Sequence, residues 1–268
     1  MITRKSPQEL ELMHAANGLV ASVLAELRRL VAPGVSTLDL DRVAERHVRD
    51  AGAVPAFKGY HGYPSTLCAS VNDAVVHGIP SATPLVEGDI VSLDMGVVLD
   101  RFYGDSAITV PVGHVADRTM DLLRVTRRSL ELAIEQMRVG GHVSDIGHAV
   151  QRHVEANGFA VVREFVGHGI GVTLHEEPQI PNYGEPGRGP ALAPGMVFAI
   201  EPMVTMGGPA VKVLQDGWTA VTRDGSLAAH FEHTVAVTDV GPRVLSQTME
   251  ADVVADIMTR EPASLPHG

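Results

Sequence analysis

The chain has 268 residues, 45% hydrophobic and 20% charged, with a formal net charge of −11. That balance fits a folded protein with a sizeable core and excludes a largely disordered one. The acidic excess excludes a general DNA or RNA binder, whose surface must meet phosphates with basic side chains. Cys68 is the single cysteine; it allows no intrachain disulfide and no cysteine-based zinc site, and a reducing cytoplasm is the expected location. The opening residues carry basic charge but no apolar leader. No apolar run reads as long enough to cross a bilayer, so no membrane contact is expected.

Ser6-Pro7-Gln8-Glu9 starts a helix: Ser6 caps, Pro7 suits the first turn and Glu9 completes a capping box. Leu10, Met13, Val20, Val23, Leu24, Leu27 and Leu30 follow at helical spacing, and Pro33-Gly34 ends the run. A second helix is predicted over 37–51, a third over 117–138 and a fourth over 145–156, stopped by Asn157-Gly158. Strands are predicted over 90–99, 102–111, 196–203, 211–214, 218–221 and 229–238. The tail 259–268 is polar, bears prolines and is expected to fray.

The helix pairs echo each other. GVSTLDLDRVAERHVRDAG (34–52) aligns without gaps on GGHVSDIGHAVQRHVEANG (140–158), and GDIVSLD (88–94) aligns on GMVFAIE (195–201). Asp94 then stands opposite Glu201, and His61-Gly62 falls at the offset of His168-Gly169. The chain therefore reads as one domain, 1–268, built of two repeats over roughly 6–111 and 117–240. Helices precede strands in each half, which favours an α+β fold with antiparallel sheet and helices on one side.

Carboxylates interrupt these strands. Asp94 and Asp105 sit inside the two arms of a hairpin; a turn centred on Leu99-Asp100 would set them directly opposite. Glu201 in MVFAIEPMV and Glu232 in AHFEHTVAV repeat the anomaly. Strand interiors disfavour Asp and Glu, and facing carboxylates repel unless a cation lies between them. Arg101, the nearest basic residue, belongs to the turn. A pair of divalent metals accounts for four such carboxylates better than a salt-bridge network, and oxygen ligands with an imidazole suit Mn(II), Fe(II), Co(II) or Zn(II).

SLDMGVVLDRFYGDSAIT, VGHGIGVTLHEEPQIPNYG, GMVFAIEPM, AAHFEHTVAVT and GYHGYPSTLCASVNDAVVHGIP closely resemble the type I methionine aminopeptidases in their short bacterial form. The resemblance runs from about residue 5 to residue 245 and implies the pita-bread fold, a curved antiparallel sheet covered by helices on one side. It implies an aminopeptidase that removes the initiator methionine when the second residue is small, a metal-activated water attacking the scissile carbonyl. Asp94, Asp105, His168, Glu201 and Glu232 match the ligands of two divalent ions, with Asp105 and Glu232 bridging and Glu201 also shuttling protons. His77 matches the histidine that meets the substrate backbone, and His175 the one that donates to the scissile carbonyl oxygen. Tyr60, Tyr63, Cys68, Leu174 and Trp218 match the walls of the methionine pocket. Phe57 and Leu174 stand where that family often has Cys and Phe.

The Asn72-Asp73 loop resembles a monovalent-cation site of some relatives. Implied partners are nascent polypeptide N-termini near the ribosome, met by a monomer. His61 receives no catalytic role, His47 and His153 read as structural or surface residues, and His233 alternates away from Glu232. HEEPQ lacks the second histidine of HExxH, and Pro178 would break the helix that motif needs. A non-catalytic binding protein of the same fold and a proline-directed peptidase are the competing readings. The filled ligand set argues against the first; the start of the chain almost directly on a helix argues against the second.

Overall fold

A computed structural model describes residues 2–247; the tail expected to fray lies outside them. In chain order come α1 (Pro7–Leu30), α2 (Thr37–Asp50), β1 (Val54–Pro55), a short 3-10 turn (Tyr60–Gly62), β2 (Leu67–Val71), β3 (Ala74–Val76), β4 (Ile90–Leu99) and β5 (Phe102–Pro111). The second half brings α3 (Asp117–Glu135), α4 (Val143–Ala156), β6 (Ala160–Val161), β7 (Gly167–Gly169), β8 (Glu176–Ile180), β9 (Val197–Ile200) and β10 (Met203–Thr205). It closes with β11 (Val211–Val213), β12 (Ala220–Thr222), β13 (Ala228–His230), β14 (Glu232–Thr238) and β15 (Gly241–Val244).

The capping chemistry explains where the helices begin. Ser6 with Glu9 and Ser36 with Asp39 form reciprocal capping boxes. α4 starts at Val143, two residues before the expected Asp145. The reason is that the Asp145 carboxylate reaches back to accept from the His142 N–H at 2.7 Å, which makes it the third helical residue rather than the first. Of the apolar stripe expected on α1, all but the terminal Leu30 is buried. By length and composition α1 could cross a membrane, contrary to the expectation from the sequence. Small and apolar residues raise its mean hydropathy because it is a core helix: half of the stretch is buried, against α2 and the odd-numbered residues of β4.

Among the described residues the main sheet is antiparallel and nine-stranded, in the order β1-β4-β5-β14-β9-β7-β8, with β2 on β4 and β15 on β14. The strands expected at 196–203 and 229–238 are each broken. Pro202, which lacks an N–H for the ladder, carries the chain out of this sheet into a smaller one, β13-β10-β6, and Phe231 carries it back. The hairpin register also differs from expectation. The turn residues are Asp100 and Arg101, at φ 45° and 66°, a two-residue connection whose positive φ values match the twist of the flanking strands. Leu99 pairs with Phe102, so Asp105 faces Gly96 and Asp94 faces Ala107. The two aspartates still share a face, one step apart along the diagonal.

Alternation assigns the faces. Val91, Leu93, Met95 and Val97 of β4 pack with α1 and α2. Phe198 and Ile200 of β9 and Val235 and Val237 of β14 pack with α3 and α4. Asp94 and Glu232 have the opposite parity on their strands and look away from the helices. The carboxylates that interrupt the apolar pattern are thus the lining of the uncovered face.

Candidate active site

Three neighbouring strands set out the carboxylates. Ala107 of β5 pairs with Asp94 on one side and with Glu232 on the other. With strands ~4.8 Å apart, those two backbones stand roughly 10 Å apart, and Asp105 leans in from the strand between them. Hydroxyls stitch the register: Ser106 Oγ donates to the Glu232 carbonyl at 2.6 Å and Thr234 Oγ1 to the Asp105 carbonyl at 2.8 Å. From behind, the buried Asn17 of α1 accepts from the Asp105 N–H at 3.2 Å.

His168 arrives on β7, between two glycines that admit it. A Cβ on Gly167 would lie 2.4 Å from the Ala199 carbonyl oxygen, and one on Gly169 2.3 Å from that of Glu177. Only bare backbone lets β7 pass between β8 and β9. The ring's Nδ1 donates to the Gly169 carbonyl at 2.9 Å, which leaves the Nε2 lone pair facing the carboxylates, 3.5 Å from Glu201 Oε1 and 4.0 Å from Asp105 Oδ2. A backbone carbonyl on the far nitrogen is the usual way to orient a ligand histidine. One donor atom each of Asp105, His168 and Glu232 lies within 4.8 Å of the others.

The electrostatics are those of a cation site. Asp94 Oδ1, Asp105 Oδ1 and Glu232 Oε1 are buried and have no hydrogen-bond partner among the described residues. Burial pushes Asp94 up to about 7. Burial and then the neighbouring carboxylates hold Asp105, Glu201 and Glu232 well above the ordinary range. Burial, then the nearby His175, lowers His168 to about 4. A neutral imidazole and acceptor-only oxygens with unused lone pairs are the donor set a hard or borderline divalent ion needs.

His175 has a different job. Its ring meets His168 edge-on, centroids 4.3 Å apart, but its Nδ1 sits 2.7 Å from the Tyr60 hydroxyl. Burial raises the phenol's pKa and, with His61 behind it, lowers that of the imidazole. Both groups are therefore neutral; with the phenol donating and Nδ1 accepting, the ring's proton resides on Nε2. His77 is half-buried, edge-on to Phe165 and Trp218, and burial followed by His175 lowers it to about 4. Glu176 is tied to Lys5 and accepts from the Val172 N–H at 2.9 Å; it buttresses the loop rather than entering the cleft chemistry.

One cavity of about 200 Å³ joins these groups to an apolar slot. Tyr60, Tyr63, Cys68, Leu174 and Trp218 line it beside Asp94, Asp105, His168, His175, Glu201, Glu232 and His77, so the sequence-derived set converges in one place. Tyr63 is pinned by donating to the Leu67 and Gly78 carbonyls and is edge-on to Trp218 at 5.1 Å. Cys68 is buried and burial raises its thiol, as suits a wall and not a nucleophile. Phe57, Val76, Phe165, Val166 and Met203 also line the cavity. Sequence reading gave the last four no role; their signal was adjacency, Phe165 and Val166 opening the glycine-histidine stretch and Met203 closing the Glu201-Pro202 break.

Residues 11–239 match metallopeptidase family M24. The chain is 50% identical over 247 residues to methionine aminopeptidase 1 of Bacillus subtilis, covering 92% of this chain and 100% of that one. It is 50% identical over 253 residues to methionine aminopeptidase 1 of Mycobacterium tuberculosis, covering 92% and 95%. The crystal structure of methionine aminopeptidase from Thermotoga maritima superposes with a TM-score of 0.91 at 47% identity, covering 92% of this chain and all of that one. The chain belongs to metallopeptidase family M24, on its methionine aminopeptidase branch.

Proposed function

We propose that this protein is a divalent-metal-dependent aminopeptidase that releases the initiator methionine from peptides and nascent chains whose second residue is small. The observation that carries the reading is the convergence of Asp105, His168 and Glu232 within 4.8 Å in the same cavity as an aromatic-walled apolar slot. Asp94, Asp105, His168, Glu201 and Glu232 would hold two divalent ions. Bound there, divalent ions polarise the scissile carbonyl and make water acidic enough to supply a nucleophile near neutral pH.

The protein's own groups do the rest. Glu201 takes a proton from the attacking water and returns one to the leaving amine. His175 Nε2–H donates to the carbonyl oxygen as it gains charge. His77 meets the substrate backbone across the cleft. Tyr60, Tyr63, Cys68, Leu174 and Trp218 enclose the methionine side chain, whose unbranched thioether suits an irregular apolar slot.

The ions are drawn from Fe(II), Mn(II), Co(II) and Zn(II). A monovalent cation at the Asn72-Asp73 loop completes the cofactor reading; the Asn72 and Asp73 carbonyls each accept one backbone N–H and keep a lone pair. The partners are nascent N-termini near the ribosome, with no DNA or membrane contact. The working unit is a cytoplasmic monomer, which a site complete within one chain permits. The two repeats, roughly 6–111 and 117–240, make one catalytic unit, a reading supported by the like bridges Ser36 to Pro84 and His142 to Ala191. The test is methionine release from a Met-Xaa-Ser panel by chelated protein reloaded with each metal. Release confined to small Xaa is expected. No release with any metal, or undiminished turnover in Glu201→Ala, overturns the proposal.

A further inference from the structure

His230, which the sequence left without a role, is 1% exposed. Both of its ring nitrogens are buried without a hydrogen-bond partner among the described residues. Native proteins rarely leave a buried donor idle, so such a group calls for an explanation. Its Nε2 lies 3.8 Å from Glu201 Oε2. Burial, then the nearby His77, lowers the ring's pKa. His230 thus lies beside the residue assigned to proton transfer.

Its backbone is held unusually firmly. The His230 N–H donates to Thr109 Oγ1 at 2.9 Å, and the same hydroxyl donates to the His230 carbonyl at 2.8 Å. Ser92 Oγ lies 2.8 Å from that hydroxyl and supplies its remaining bond, so one threonine clamps both main-chain groups of one residue. The clamp sits where β13 pairs with β10, His230 opposite Met203, one residue before the chain crosses at Phe231 into β14. The backbone is thereby fixed at the position that sets the ring's Nε2 beside the carboxylate.

Glu201 has two imidazoles beside it. That of His168 presents a lone pair, because its proton is committed to the Gly169 carbonyl. His230 is the imidazole with a donor to give. A shift of about 0.9 Å brings 3.8 Å to ordinary hydrogen-bond length, within the reach of a glutamate rotamer. We propose that His230 is a positioning residue: its Nε2–H holds Glu201 Oε2, leaving the other carboxylate oxygen to face the reacting groups. This rests on the reading of Glu201 above.

The experiment compares H230Q, H230N and H230L in metal-loaded protein, with kcat and KM on Met-Ala-Ser, bound metal per chain, and thermal melting. A glutamine side-chain amide reaches the place of Nε2, whereas an asparagine amide reaches only that of Nδ1. H230Q is expected to keep kcat within about threefold, while H230N and H230L lose roughly 10- to 100-fold in kcat with KM within about twofold. Competition titration with a metallochromic chelator is expected to show weaker metal binding in H230N than in H230Q. Equal kcat and equal metal affinity in H230N and H230Q overturn the proposal, even if H230L fails to fold. A wild-type protein that releases no methionine sinks the functional reading instead, so the two failures are distinct.

Discussion

Tyr60→Phe isolates the role of a single proton. The ring stays, so the pocket wall stays, but the hydroxyl 2.7 Å from His175 Nδ1 is gone. Without it nothing on this side selects the tautomer with the proton on Nε2, and part of the population presents a lone pair to the substrate carbonyl. A neutral hydrogen bond contributes about 0.5–1.5 kcal/mol net. If the tautomer preference has that size, the competent population falls from about 70–93% to about half, and kcat falls roughly 1.4- to 1.9-fold. KM should stay within about twofold, because ring and slot are unchanged. Steady-state kinetics on Met-Ala-Ser measure both. Heteronuclear NMR of the His175 ring reads the tautomer directly, with protonated Nε2 expected in the wild type and a mixture in the variant. Unchanged kcat with a several-fold rise in KM would make Tyr60 only a wall and refute the reasoning.

Three further outcomes follow from the same geometry. His168→Ala should lose metal first, whereas His175→Ala should keep metal and lose turnover by about 10²–10³, the usual scale for an oxyanion donor; metal analysis beside kinetics decides, and equal metal loss would erase the division drawn between them. Metal-free protein should lose stability as pH rises. The carboxyls have folded pKa values above their unfolded ones, so the folded state holds the extra protons; for Asp94, held at about 7, the benefit is complete below about pH 4 and is lost as pH rises through about 7, at a slope of roughly 1.4 kcal/mol per pH unit. Asp105, Glu201 and Glu232 add in the same direction, while the lowered His77, His168 and His230 offset part of the loss below the ordinary imidazole range. Denaturant titrations of chelated protein at pH 5 and pH 8 test the sign, and Mn(II) should raise stability most at the higher pH. Ala107→Val adds bulk at a buried position in the row between Asp94 and Glu232; overpacking should cost about 1–3 kcal/mol of stability and weaken metal binding, and unaltered affinity in calorimetry would show that Ala107 does not floor the site.

The sequence revealed the elements better than the register. Capping boxes at Ser6 and Ser36 are local, and local chemistry decided those helices. The hairpin turn is not local in that sense. Asp100 and Arg101 adopt positive φ because the strand pairing demands it, and neither residue advertises the turn as glycine would. The five candidate ligands stood out because carboxylates in apolar strands demand a reason. His230 did not stand out, because one histidine at the end of an alternating strand is ordinary until its burial and its idle nitrogens are seen. The strand breaks at Pro202 and Phe231 were legible only as a proline and an aromatic; that they pass the chain between two sheets depends on partners distant in sequence.

The hydroxyl stitching between β5 and β14 has a temporal consequence. Asp105 is fixed by Thr234 and Glu232 by Ser106, each across more than a hundred residues. As the chain is synthesised, Asp94 and Asp105 emerge long before β14, the strand that anchors Asp105 and carries Glu232. The cation site cannot form from the first half alone, and the α1–α2 half must wait with its carboxylates protonated or solvated. Folding that proceeds from the N-terminus thus places metal capture at its end, when β14 inserts between β5 and β9. A metallopeptidase assembled in this way is therefore inert until its last long strand is in place.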